Sequence, residues 1–261
     1  MLKASVREEM LALVNAIRAQ HALPPVTYSD VDDQDVQAAS LMMAVNRELS
    51  HAPPTSWTCY TSGGAAAAGT SNLVGGWGTG LPWSSQDDLL AEWLTERNSE
   101  SIGHRRWILD PFLGQISYGR VAYQQGNDRA DGATLKVFGF SDGTATPAAA
   151  DLPAFVAYPY GTYPARYFGT GDILSFSIVA DPTSRFGNGT VPFDQATISV
   201  TSSDGPLTVT DVSYDNQGYG LPNNIEWKVT GLALNVTYTV KISGVAGAPE
   251  SDYQYSFRIQ D

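Results

Sequence analysis

Residues 92–109 read EWLTERNSESIGHRRWIL, a stretch that gathers three carboxylates, two tryptophans, three arginines and one of the chain's three histidines. Histidine is the side chain best suited to proton transfer or metal binding near neutral pH. The Gly103-His104-Arg105-Arg106-Trp107 run is therefore the first place to look for chemistry. Leu89, Leu90, Trp93 and Leu94 give the preceding segment the inward face of a helix. Ser85 and Asp88 have the spacing of a capping box at its start, with Asp in place of Glu. Glu92 and Glu96, four apart, fall on one side of that helix.

Towards the N-terminus, residues 53–82 read as a long irregular loop rich in Gly, Ala, Ser and Thr, of the kind that is functional or mobile. Before it, Ser29-Asp30 can cap a helix whose apolar face is Ala38, Leu41, Met42, Val45 and Leu49. Pro53-Pro54 stops that helix, which places His51 at its C-terminal end. Val6, Met10, Leu13, Val14 and Ile17 mark an earlier helix over residues 5–20, and His21 reads as a surface residue at its end.

Towards the C-terminus, two strands near Ile116 to Tyr123 and Ala133 to Phe140 form a hairpin through QQGNDRADG. SDGTATPAAADLP, residues 141–153, is a linker by composition. Beyond it the apolar period changes to two, in Leu174/Phe176/Ile178, Ile198/Val200, Leu207/Val209, Ile225/Trp227/Val229, Tyr238/Val240/Ile242 and Tyr253/Tyr255/Phe257/Ile259. With Phe155-Val156 that makes about seven short strands. The expected fold class is α+β: a helical domain with a small antiparallel sheet over residues 1–145, then an all-β immunoglobulin-like or fibronectin-like sandwich over residues 146–261. Asn188-Gly189-Thr190 and Asn235-Val236-Thr237 match the glycosylation sequon, a pattern that also arises by chance.

The net charge of −12 argues against a nucleic-acid or anionic-membrane partner, because phosphate binding needs a basic face. No apolar run approaches the ~18 residues of a transmembrane helix. The chain opens on MLKASVREEM without a signal-peptide core, so it is either cytosolic or begins after a removed signal. Low charge, abundant Thr, Ser, Gly and Tyr, and an all-β second half favour the second case, an exported bacterial protein at the cell surface or outside it. The single cysteine, Cys59, excludes an intramolecular disulfide and reads as a small buried residue beside Trp57 and Tyr60.

The candidate site groups His51, Glu96 and His104, with Glu92 and Glu100 as competing carboxylates. Two imidazoles and a carboxylate could coordinate a transition metal, commonly zinc, or act as a general acid/base set. Histidines satisfied by hydrogen bonds in a packed polar core are the third reading, and no compact zinc motif decides among them. Arg105 and Arg106 are expected to pair with Glu96, Glu100 or Asp110 and anchor the loop. Trp107, Ile108 and Leu109 read as core. Trp77 and Trp83 either plug the core or line a groove for sugar or peptide.

LVNAIRAQHALPPVTYSDVDDQDVQAASLMMAVNRELSH resembles the N-terminal half of a CAP domain, the superfamily of cysteine-rich secretory, antigen 5 and pathogenesis-related (SCP-like) proteins. EWLTERNSESIGHRRWILDPFLGQISYGRV is similar to its second signature: Trp-x-x-Glu, Gly-His-Arg, an Ile-Leu-x-Pro step and a strand. The resemblance covers about residues 8–140. It implies an α-β-α sandwich and a cleft lined by two histidines and two acidic residues. On this chain the histidines fall on His51 and His104, the metal positions, and the helix carboxylate on Glu96. The second acid belongs to a Gly-Glu-Asn segment, here matched by Ser71 and Asn72, so Ser71 stands where Glu is expected and zinc affinity should be weakened.

The implied function is an extracellular binding or cell-surface module, with a small molecule, glycan, lipid or peptide as ligand. The alternative is a hydrolase, acting through metal-bound water with Glu96 as base or through Ser71 as a nucleophile. A purely structural role in a surface assembly is the third class.

Overall fold

The computed structural model describes residues 2–97, 99, 101–143 and 145–261. The chain divides into two compact units, neither continuous in sequence. The first comprises Met1–Ala16, Pro25–Trp93 and Leu113–Thr146; the second comprises Ile17–Pro24, Leu94–Phe112 and Pro147–Asp261.

The first unit is built on a four-stranded sheet of β1 (Thr27–Tyr28), β2 (Ser71–Thr79), β3 (Gln115–Gln125) and β4 (Asp128–Lys136), ordered β1-β3-β4-β2. Only the β1–β3 pair is parallel. Helix α1 (Ala4–Gln20) follows the apolar period read from the sequence, and Met10 and Val14 are buried. Helix α2 (Asp33–Asn46) lies directly on β3 and β4. A β-carbon on Gly119 would stand 2.4 Å from the Val36 carbonyl oxygen, and one on Gly132 2.9 Å from that of Ser40. The sheet therefore needs glycine at these two positions for the backbones to approach so closely. Ser40 Oγ donates to Thr134 Oγ1 at 2.9 Å across the same contact.

This close approach corrects the apolar face expected for α2. Val36, Ala39, Met42, Met43 and Ala44 are buried, whereas Ala38, Leu41 and Val45 are half-buried and Leu49 is exposed. Small residues let the helix turn a different side to the sheet. The helix also stops before the prolines reach it. Arg47 takes the left-handed conformation (φ 55°, ψ 45°), and its N–H bonds the Met43 carbonyl, a C-cap geometry that ends the helical ladder. His51 thus sits in a loop beyond the helix.

The loop expected over residues 53–82 contains two regular elements. Ser62–Gly69 is helix α3, and Ser71–Thr79 is strand β2. Thr61 Oγ1 caps α3 by accepting the Gly64 N–H at 3.0 Å, and the Ala65–Ala68 run has the best helix propensity available. Helix α4 (Gln86–Thr95) starts as the sequence predicts. Asp88 Oδ2 accepts the Ser85 N–H at 2.7 Å, and Ser85 Oγ accepts the Asp88 N–H at 3.0 Å. Strands β3 and β4 form the expected hairpin, closed by a tighter turn at Gly126-Asn127. Cys59 is exposed, not buried.

The second unit carries a short helix α5 (Gly103–Ile108) and eight strands. These are β5 (Phe155–Tyr158), β6 (Gly161–Pro164), β7 (Leu174–Ile178), β8 (Thr197–Ser202), β9 (Gly205–Asp215), β10 (Asn224–Thr230), β11 (Thr237–Ser243) and β12 (Asp252–Gln260). Six match the period-two runs and β5 matches Phe155-Val156; β6, too short to show a period, is new. Hydrogen bonding passes through all eight in the order β5-β7-β10-β9-β8-β11-β12-β6, a single curled sheet. Strict alternation along β12 buries Tyr253, Tyr255, Phe257 and Ile259, with Phe176 against Tyr253 and Tyr255 and Tyr238 against Phe257. Asn188 is fully buried: its Nδ2 donates to the carbonyls of Asp181 and Ser184 at 2.9 Å, and its Oδ1 accepts the Ala180 N–H at 2.7 Å.

Gly119→Ala should lower stability by about 1–3 kcal/mol, the usual cost of overpacking, in urea denaturation followed by circular dichroism. Gly171, with open space where a β-carbon would go, supplies the control: Gly171→Ala should stay within about 0.5 kcal/mol of wild type.

Candidate functional site

The decisive stretch belongs to the second unit from Leu94 onward. Helix α4 ends at Thr95, and Glu96 turns the chain with φ at 55°, a left-handed conformation unusual for a residue with a side chain. This turn removes Glu96 from the helical face shared with Glu92 that its spacing suggested. Its buried carboxylate reaches forward instead. Oε1 accepts the Arg105 N–H at 3.1 Å, a first-turn donor of α5, and Oε2 accepts the His104 Nδ1–H at 2.7 Å. A neutral His104 ring then carries its lone pair on Nε2. A metal-ligating imidazole has the same arrangement, its other nitrogen fixed by a carboxylate.

Arginines anchor this segment, with partners other than those expected. Arg18 Nη1 donates to the Ile108 and Asp110 carbonyls at 2.8 and 2.9 Å, and its Nε to the Pro24 carbonyl at 2.9 Å. Burial pulls the Arg18 guanidinium down to about 10, against the attraction of Asp110. Arg106 Nη1 pairs with both Asp215 oxygens at 3.0 and 2.9 Å. Arg105 Nη1 donates to the Ile173 carbonyl at 2.9 Å while the guanidinium lies 4.1 Å from the Tyr158 ring centroid. Asp110, proposed as a partner of these arginines, faces Arg185 at 3.2 Å; burial raises its carboxyl above the ordinary range. Glu100 lies outside the described residues. Ile108 and Leu109 are core, whereas Trp107 is half-buried under the Arg185 guanidinium.

His51, Ser71 and Asn72 belong to the first unit, where His51 and Ser71 meet the C-terminal end of α3. The exposed His51 ring donates from Nδ1 to the Ala68 carbonyl at 2.8 Å, and Ser71 Oγ donates to that of Ala67 at 2.6 Å. These carbonyls lie in the last turn of the helix, where intrahelical donors run out. Ser71 and Asn72 are buried. The structure thus joins Glu96 to His104 in one unit, and His51 to the Ser71 neighbourhood in the other. Among the described residues no group of three or more His, Cys, Asp and Glu side chains is gathered to hold a metal ion. Trp83 is exposed with the Arg129 guanidinium 4.8 Å from its ring, and Trp77 is half-buried.

His21 departs most from its sequence reading. It is 3% exposed, donates from Nδ1 to the Ala157 carbonyl at 2.8 Å, and accepts the Tyr163 hydroxyl on Nε2 at 3.0 Å. Burial, aided by the Arg105 and Arg18 charges, pulls this imidazole down to about 3. The missed residues of this network, Arg18, Tyr158, Tyr163 and Asp215, are distant in sequence from residues 92–109. No local spacing could have found them.

Residues 11–138 match the family model described as "CAP: Cysteine-rich secretory protein family". This stretch is a CAP domain. Both elements of the His104–Glu96 pair and both residues at the end of α3 fall inside it. No curated protein matches the chain. Among solved structures, an extracellular protein containing a SCP domain from Bacillus anthracis is 19% identical over 49% of this chain and 40% of its own, with a TM-score of 0.32. An outer surface protein from Borrelia burgdorferi is 12% identical over 52% of this chain and 95% of its own, with a TM-score of 0.32. MpPR-1i is 10% identical over 59% of this chain and 98% of its own, with a TM-score of 0.36.

Two outcomes follow for the CAP domain segment and its surroundings. Glu96→Ala should cost about 1–3 kcal/mol, because the Arg105 N–H loses its acceptor in a buried place, and Glu96→Gln, which keeps that acceptor, should recover part of the loss in urea titrations. For His21, the folded-state value lies below the unfolded one, so the unfolded chain binds the extra proton. Its contribution is complete above pH ~6.5 and is lost as pH falls towards about 3, at up to about 1.4 kcal/mol per pH unit. His21→Asn should flatten that part of the stability profile, measured by denaturation at pH 4 to 7.

Proposed function

We propose that the protein is an extracellular or cell-surface binding module whose recognition chemistry centres on His104. The observation that carries this reading is the 2.7 Å bond from the His104 ring to the buried Glu96 carboxylate. It holds one imidazole in a fixed orientation on a segment that arginines anchor. The family description, cysteine-rich secretory protein, and the low charge with abundant Thr, Ser, Gly and Tyr support export. No helix among the described residues is long and apolar enough to cross a membrane. The ligand classes in view are a small molecule, a glycan, a lipid or a peptide.

Zinc is the probe we assign to the two imidazoles. His51 and His104 each use Nδ1 towards an oxygen acceptor, which leaves Nε2 as the nitrogen that would ligate in each neutral ring. Ser71 in place of a carboxylate removes a charged ligand from the family pattern, so affinity should be modest. Calorimetric zinc titration should show binding that falls at least tenfold in both His51→Ala and His104→Ala, and that weakens on acidification as the imidazoles protonate. Unchanged affinity in both variants would remove the metal from the proposal.

The enzymatic alternative rests on the same pair, since a carboxylate-oriented imidazole is also a general-base arrangement. Ser71 is a poor nucleophile candidate because its hydroxyl donates to a helix carbonyl. Protease and esterase screens test that alternative, and pull-down on cell-wall sacculi tests binding. For the C-terminal sheet we read an immunoglobulin-like two-layer arrangement. Support comes from β9, whose residues 205–207 pair with β8 and whose residues 208–215 pair with β10, as in a strand that turns a corner between layers.

A further inference from the structure

We propose that the second unit binds a single halide ion, chloride in ordinary media, between Arg105 and Arg106. A cavity of about 20 Å³ lies there, lined among others by both arginines, Ser175, Ser177 and Asn224. One water-sized species needs about 10–15 Å³, so the space suits a monatomic ion and excludes sulfate or phosphate.

The wall chemistry selects an anion. Arg105 is 1% exposed, yet among the described residues its Nε and Nη2 have no hydrogen-bond partner, and Arg106 Nε is likewise unpartnered. Three buried donor nitrogens are therefore unused on the two arginines that line one cavity. Three neighbouring arginines are matched by carboxylates: Arg106 by Asp215, Arg97 by Asp172 and Arg185 by Asp110. Arg105 instead meets the carbonyls of Leu94 and Ile173 and the face of Tyr158. A buried cation is costly without a counter-charge, and a halide between the two guanidinium groups supplies it.

Strand β7 contributes the remaining wall. Its apolar residues Leu174, Phe176 and Ile178 alternate with Ser175 and Ser177, so the serines share the opposite face and can rotate their O–H groups towards an acceptor. Asn224, also on the wall, has an Oδ1 unpartnered among the described residues, while its Nδ2 donates to Glu226 at 3.3 Å. A water would satisfy that oxygen but leave the Arg105 charge unmatched, so charge decides for the halide.

Crystals of the full chain soaked in sodium bromide, with data at the bromine edge, test the site directly. One anomalous peak between Arg105 and Arg106 is expected; density there without anomalous signal would identify water and overturn the proposal. In solution, chloride is raised from 1 to 100 mM at constant ionic strength with gluconate. For a dissociation constant of about 10 mM, the unfolding equilibrium constant should fall about tenfold. Ser177→Val, which fills the cavity and keeps both arginines, should abolish that response. Equal stability in chloride and gluconate for the wild type overturns the assignment, whether or not the variant folds.

Discussion

The hydrogen bonds from Arg18 to the carbonyls of Ile108 and Asp110 are the constraint on which the second unit rests. They tie residues about ninety positions apart in a fully buried place. The Ile108 carbonyl is one of those at the end of α5 that the helix itself cannot satisfy. Arg18 supplies the donor. Burial makes its guanidinium easier to deprotonate than usual, a sign of how dry the surroundings are. Removing one partner of such a contact leaves polar groups stranded, which costs far more than the contact itself contributes.

That anchoring sets what the site can do. Residues 101–110 form the short helix α5 and its flanks, too short to hold a geometry alone. Arg18, Arg105 and Arg106 pin them from three directions to carbonyls, an aromatic face and Asp215. Within that frame Glu96 satisfies a helix amide with one oxygen and orients an imidazole with the other. His51 presents a contrast, since it is exposed and tied to a single carbonyl at the end of α3. One imidazole is held by a network, the other by one bond.

Much of this architecture was legible in the sequence wherever a local pattern carries its own cause. The alternation Tyr253-Tyr255-Phe257-Ile259 requires only a pleat, and Ser85-Asp88 requires only a helix start; both read correctly. Helix α3 was hidden because SGGAAAAG looks like loop by composition, and its glycines outweighed the alanine run and the Thr61 cap. The end of α2 was misplaced because Arg47, a residue with no special turn tendency, adopts the left-handed cap. His21 departs from its local pattern for a different reason. Its burial depends on Ala157 and Tyr163, more than 130 residues further on. The candidate His104 and Glu96 emerged from the stretch itself, but what orients them is tertiary.

Asn188 illustrates how a folded interior can conflict with a chemical signal in the chain. Its amide nitrogen is wholly spent on three carbonyls of one tight turn, those of Asp181, Ser184 and Arg185. In a eukaryotic secretory host, an oligosaccharide joined to that nitrogen during synthesis would have nowhere to go, and the turn could not close around it. Asn235, in an exposed turn, imposes no such choice. Production in that compartment would therefore divide the product into a sugar-free fraction that matures and a decorated fraction that does not.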